Sequence, residues 1–160
     1  MILKKLEIRK DKLGDGSYGA KRANHNHQGV DYLVQEGESI FSPEPGTLIR
    51  YSYPYESDHN YKGLLFKGNS GTEYKFFYVI PTLLIGQTVA QGKIIATAQA
   101  ISKKYGSAMK DHIHVEVRKN NNLLDPAKFF ITKNKFPILL TAIVFMAGLL
   151  SLTNNKNGRL

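Results

Sequence analysis

His27-Gln28-Gly29-Val30-Asp31 and Asp111-His112-Ile113-His114-Val115-Glu116-Val117 are the stretches on which the reading of this chain turns. Side chains of an extended strand alternate between two faces, so every second residue looks the same way. In the second stretch His112, His114 and Glu116 share one face, while Ile113, Val115 and Val117 share the other. The aliphatic face belongs in a core. The histidine face must then look into a groove or into solvent. In the first stretch His27 and Asp31 are four apart and can point the same way. Four of the five histidines lie in the pairs His25/His27 and His112/His114, so two neighbourhoods carry most of the imidazole.

Outward from these strands the same pattern continues. Short β-type runs are expected at Val30–Val34, Ser39–Phe41, Thr47–Tyr51, Gly63–Lys67, Tyr74–Ile80, Lys93–Ala98 and His112–Val117. Turn signals separate them: Glu36-Gly37, Pro43-Glu44-Pro45-Gly46, Gly68-Asn69-Ser70-Gly71 and Ile85-Gly86. Residues 1–12 alternate weakly and are expected to form an edge strand, and Leu13–Asn26 reads as loop. Tyr51–Tyr61 (YSYPYESDHNY) reads as a surface hairpin connection, with a binding loop as the alternative. Asp125-Pro126 opens a short closing segment. The expected class is mostly β, a small antiparallel sheet or sandwich domain over 1–131.

The chain's 160 residues suffice for one such domain, and its composition, 42% hydrophobic and 22% charged, is that of a folded protein. It has no cysteine, which excludes a disulfide framework, a thiolate zinc site and a cysteine nucleophile. Any metal must be held by His, Asp or Glu. The net charge of +9 suggests an anionic partner, but it is not one signal. Residues 131–160 contribute four basic residues and no acidic one.

That tail contains Phe136–Leu152, FPILLTAIVFMAGLLSL, which carries no charge and is apolar all round rather than striped. As a helix it would span roughly 26 Å, close to the about 30 Å of a hydrocarbon core. Lys133 and Lys135 flank it on one side, Lys156 and Arg159 on the other. The expectation is a linker at 132–135, a transmembrane helix at 136–153 acting as a single-pass C-terminal anchor, and a short basic tail at 154–160. Met1–Lys12 is charged throughout and does not read as a signal peptide.

Two histidine-bearing strands facing each other would offer two imidazoles and a carboxylate to one ion. Three N/O ligands with an open fourth position are how catalytic zinc is held, and the zinc activates water. A further histidine nearby can move protons or steady an oxyanion. Read alone, the pairs leave ordinary surface or core histidines open as the alternative, and metal binding by itself does not say hydrolase.

From Gly16 to Phe130 the chain resembles the LytM/lysostaphin-type zinc metallopeptidases of peptidase family M23. Gly16-Ser-Tyr-Gly-Ala-Lys-Arg22 is similar to the family's entry segment, and His27-Gln-Gly-Val-Asp31 to its HxGxD motif. GESIFSPEPGTL at Gly37–Leu48 is similar to its first strand pair. Gly86-Gln87 with Val89–Ile95 resembles its Gly-Gln segment, His112-Ile-His114-Val-Glu116 its HxHxE, and Asp125-Pro126 its closing Asp-Pro. Six such motifs in order are specific. The resemblance implies the LytM (duplicated hybrid motif) fold with a narrow groove. It implies Zn2+ held by His27, Asp31 and His114, with His112 as the catalytic base or oxyanion stabiliser. The implied substrate is the cross-link peptide of peptidoglycan.

Two departures stand against full activity. Where the family has Tyr-x-His-Leu with a catalytic histidine, this chain reads Tyr78-Val79-Ile80-Pro81, and Ile80 can neither transfer a proton nor donate a hydrogen bond. The loop before HxH, Lys103–Asp111, is lysine-bearing rather than Gly/Ser/Thr-rich. Both departures resemble the animal leukocyte cell-derived chemotaxin branch, which keeps zinc and is regarded as non-peptidase. Three functions are therefore weighed: a membrane-anchored zinc endopeptidase, a zinc-holding but catalytically impaired binding module for cell wall or a protein partner, and a nucleic-acid-binding β domain. No nucleic acid is expected, because the basic residues are scattered and the histidine pairs would go unexplained. A wall substrate requires a periplasmic or extracellular domain, whereas the basic flank before the apolar run favours the cytoplasmic side. Release by lysis, in a phage or secretion assembly, or export without a cleaved signal would reconcile the two.

Overall fold

The alternation read in His112–Val117 is carried by a strand that runs two residues further, His112–Lys119, and the sheet is assembled around it. The computed structural model describes residues 2–130. In chain order the strands are β1 (Lys10–Asp11), β2 (Gly14–Asp15), β3 (Val30–Leu33), β4 (Ser39–Phe41), β5 (Gly46–Ser52), β6 (Gly63–Gly68), β7 (Glu73–Phe77), β8 (Val79–Pro81), β9 (Thr88–Val89), β10 (Ile94–Ala98), β11 (His112–Lys119) and β12 (Asn122–Leu124). Two one-turn helices, α1 (Ser102–Tyr105) and α2 (Pro126–Phe129), and a 3-10 turn at Gly106–Ala108 complete the described elements.

The main sheet runs β12-β11-β7-β6-β5-β9, and a second sheet runs β4-β10-β8. All pairings in both are antiparallel. One edge of β11 pairs with β7; the other takes β3 along its first half and β12 along its second. Ile113, Val115 and Val117 are fully buried, together with Tyr74 and Phe76 of β7, Leu64 and Phe66 of β6, and Leu48 of β5. Ile40 and Ile95 bring the second sheet into the same core. Each such side chain contributes about 1.5–3 kcal/mol by leaving water, and this holds β11 by its aliphatic face. Of the other face, His112 and His114 line the groove, while Glu116 lines a neighbouring hollow with Lys75 and Arg118. Asp125 caps α2, its Oδ1 accepting from Ala127 N at 2.9 Å ahead of Pro126.

Three expectations change. Residues 1–12 are not an edge strand. Ile2 and Leu3 are core residues, Ile8 makes a single bridge to Tyr32, and only Lys10–Asp11 forms a ladder, with Gly14–Asp15. The loop expected at 13–26 therefore contains β2. The single strand expected over Tyr74–Ile80 is two strands broken at Tyr78, whose φ is 61°. That left-handed residue turns the chain out of the main sheet, so β8 pairs with β10 instead. Short β9 and β12 and the turns at 102–108 have too little periodicity to be read in advance.

Among the described residues no helix is long and apolar enough to cross a membrane. The expected linker (132–135), transmembrane helix (136–153) and basic tail (154–160) lie outside the described residues.

Candidate metal centre

Register brings the two histidine-bearing stretches together. In the β3–β11 ladder His114 stands directly opposite Asp31, so their side chains leave the same face as neighbours. His27 lies just ahead of β3 in a turn pinned by Gly19 N to His27 O (2.8 Å) and His27 N to Ala20 O (2.8 Å). Gly29, between them, has room for no side chain. A Cβ there would strike the Val115 carbonyl and lie 2.7 Å from Cε1 and 2.8 Å from Nε2 of His114. The glycine of HxGxD is thus required by the close approach of β3 to the His114 ring.

The donor atoms converge. His27 Nε2 lies 3.0 Å from His114 Nδ1 and 3.2 Å from Asp31 Oδ1, and His114 Nδ1 lies 3.0 Å from the same oxygen. Ligands about 2.0–2.1 Å from a tetrahedral ion stand about 3.3 Å apart, close to these spacings. The outward nitrogen of His27 fixes its tautomer. His27 Nδ1–H donates to Ser17 O at 2.9 Å, leaving the Nε2 lone pair facing inward. His114 Nε2 lies 3.5 Å from Glu116 Oε1, leaving Nδ1 for the centre. Two imidazole lone pairs and a carboxylate oxygen at these distances repel unless a cation lies between them. The chemistry of the set therefore fits a metal ion, and a zinc ion in particular.

Charge reflects the crowding. Burial works against the Asp31 carboxylate, but hydrogen bonds from His114 and His27 and the nearby charges hold its pKa well below the usual carboxylate range. Burial also pushes the His114 imidazole down. Its contacts with Asp31 and Glu116 outweigh this and raise its pKa above the ordinary imidazole value. Burial lowers the His112 imidazole, which is therefore neutral near pH 7. Its Nδ1–H donates to Lys110 O at 2.8 Å, so Nε2 carries a free lone pair, 3.9 Å from Asp31 Oδ1.

The set opens on a groove of about 300 Å³ whose walls include Arg22, Pro54, Tyr78, Tyr105 and Met109. The connection at Tyr51–Tyr61 is the surface hairpin expected, yet it borders this groove. Tyr55 OH meets Tyr105 OH at 3.0 Å and donates to Tyr78 OH at 3.4 Å. Tyr78 packs edge-on against His112 with ring centroids 5.2 Å apart. Burial raises its pKa, so the phenol keeps its proton.

All four residues singled out in the sequence, His27, Asp31, His112 and His114, meet here, while Ile80 does not. Ile80 is 46% exposed and lines a neighbouring hollow with Tyr51, Tyr53 and Lys62. The break at Tyr78 is the reason: it turns residue 78 into the groove and residue 80 away from it. Ile80→His is therefore expected to leave any peptide-cleavage rate at the parent's value. A gain of about 10²-fold or more would show that position 80 reaches the groove.

Sequence reading missed Arg9. Its guanidinium is buried, 3.0 Å from Asp31 Oδ2 and 2.6 Å from Asp11 Oδ1. Removing one partner of such a buried pair costs about 3–5 kcal/mol. No local pattern marks its link to the centre, because Asp31 lies 22 residues away in β3.

Comparison with known proteins shows the family and the fold. The model of the family described as Peptidase family M23 matches residues 25–126. Leukocyte cell-derived chemotaxin-2 of Bos taurus is 31% identical over 116 residues, covering 72% of this chain and 74% of the relative. Solved peptidases are among the structures that share the fold. The antimicrobial peptidase lysostaphin from Staphylococcus simulans has a TM-score of 0.56 at 20% identity, over 78% of this chain and 49% of lysostaphin. A zinc containing peptidase from Vibrio cholerae has a TM-score of 0.56 at 21% identity, over 78% of this chain and 37% of that one. The chain thus spans about half of lysostaphin or less of such peptidases. With the family model matched across both histidine motifs, the chain belongs to peptidase family M23.

Proposed function

We propose that His27, Asp31 and His114 hold one zinc ion, and that the chain is a zinc-dependent endopeptidase acting on the cross-link peptides of peptidoglycan. The observation that supports this is the convergence of three lone-pair donors at 3.0–3.2 Å beside a buried neutral imidazole. Family membership and the solved zinc containing peptidase of the same fold support it further. The proposal includes attachment to a membrane through residues 136–153, with the domain on the side that meets the wall.

When bound, zinc supplies a Lewis acid and makes water a nucleophile at neutral pH. His112 Nε2 is the free base positioned to take the proton of the attacking water and return it to the leaving amine. Its Nδ1–H bond to Lys110 O keeps it in the tautomer this needs. The Tyr78 hydroxyl, kept protonated by burial, is a donor at the groove wall for developing negative charge.

A second reading, a zinc-holding binding module, is favoured by one observation. His112 is the single imidazole lining the groove besides His27 and His114, and a phenol stands where a second would be useful. The zinc-loaded full chain is expected to release free amino groups from purified peptidoglycan, and a chelator is expected to stop the release. Co-sedimentation with the wall and no release would select the binding module. Neither release nor co-sedimentation would contradict both readings.

A further inference from the structure

We infer that Arg9 and Asp11 are positioning residues of the candidate centre, Arg9 making Asp31 a one-oxygen donor and Asp11 setting the tautomer of His112. Both lie upstream of residues 25–126, where the family model matches. The Arg9 half rests on the zinc reading above; the Asp11 half does not need metal.

The contacts form a chain that closes on the site. Arg9 Nε and one terminal nitrogen donate to Asp31 Oδ2 at 3.3 and 3.0 Å. Asp31 Oδ1, left free by this fork, is the oxygen that meets His27 and His114. The other terminal nitrogen of Arg9 donates to Asp11 Oδ1 at 2.6 Å. Asp11 Oδ1 also accepts from Leu13 N at 2.9 Å, and Oδ2 accepts from Lys110 N at 3.0 Å. The carbonyl of that same Lys110 accepts the Nδ1–H of His112 at 2.8 Å. Three residues, Arg9, Asp11 and Lys110, thus link the Asp31 carboxylate on one side of the centre to the His112 imidazole on the other.

The chemistry gives each residue a distinct task. A carboxylate with both oxygens open can chelate an ion through both, raising its coordination number. A guanidinium fork on Oδ2 prevents this and withdraws charge from the carboxylate. Lysine carries the charge but not the planar fork, so it cannot hold Asp31 and Asp11 together in this geometry. Asp11 never touches the centre. It anchors Lys110 through the backbone N–H, and the carbonyl of the same residue faces His112 Nδ1, leaving Nε2 unprotonated toward the groove. The segment is docked on β3 by its backbone as well, through Arg9 N to Asp31 O at 2.9 Å, and is tied to the next turn through Gly16 N to Arg9 O at 2.9 Å. Side-chain replacements therefore leave that attachment in place.

The test uses the full chain and three variants: Arg9→Gln, Arg9→Lys and Asp11→Asn. Zinc affinity is measured against a competing chelator, the visible spectrum is recorded with cobalt in place of zinc, and the His112 tautomer is read from its nitrogen-15 shifts in metal-free protein. Arg9→Gln is expected to weaken zinc binding about 10–100-fold. Its cobalt absorption should be weaker, as a second carboxylate oxygen joins the ion. Arg9→Lys should recover part of the affinity but not the spectrum, and it carries the test should Arg9→Gln fail to fold. Asp11→Asn should keep zinc affinity near the parent's while His112 changes from one tautomer to a mixture. A parent that binds zinc, with both Arg9 variants matching its affinity and spectrum, would overturn the role of Arg9. An unchanged His112 in Asp11→Asn would overturn that of Asp11. A parent that takes up no zinc would overturn the metal reading itself and the Arg9 role with it.

Discussion

His114→Ala is expected to leave the chain without zinc and without any peptidoglycan-cleaving activity, while the fold persists. His114 Nδ1 stands 3.0 Å from both His27 Nε2 and Asp31 Oδ1, so its loss leaves two donors where three are needed. The loss should exceed the about 10–100-fold typical of a contact once removed from a metal. Folding should survive because β11 is anchored by Ile113, Val115 and Val117 on the opposite face. Metal analysis after gel filtration, with circular dichroism as the control, checks this. A variant retaining the parent's zinc content would exclude His114 as a ligand.

His112→Gln is expected to show the opposite division, keeping zinc but losing about 10²–10⁴ in cleavage rate. His112 Nε2 is 3.9 Å from Asp31 Oδ1 and does not belong to the tight donor set. Glutamine keeps comparable length and a hydrogen bond donor for the Lys110 carbonyl, but it cannot carry a proton to and fro. Single-turnover cleavage of a cross-link peptide under saturating zinc measures the effect. A variant within a few-fold of an active parent would remove His112 from the chemistry and pass the proton work to another group of the groove, such as Tyr78.

What the sequence could show depended on whether the cause was local. The two faces of β11 were legible because a period of two separates His112, His114 and Glu116 from Ile113, Val115 and Val117. The His27/Asp31 pair was legible through its resemblance to HxGxD rather than through strand alternation, since His27 lies in the turn ahead of β3. The register that sets His114 against Asp31 was not, since 83 residues separate them and only the folded ladder aligns the two strands. Family resemblance supplied that pairing in advance. It misled at Ile80, because alignment by motif assumes an unbroken strand. A tyrosine at φ 61° has no sequence signature, and that one residue decides which side chain enters the groove. Arg9 was invisible for the same reason as the register. An arginine in a weakly alternating stretch reads as solvated until β3 closes over it.

Whether His27, Asp31 and His114 form one metal site is decided by anomalous diffraction at the zinc edge from crystals of the zinc-loaded chain. A single strong peak is expected about 2.0–2.2 Å from His27 Nε2, Asp31 Oδ1 and His114 Nδ1. A zinc-loaded crystal with no peak among these three atoms, or with its peak at other residues, would contradict a shared site.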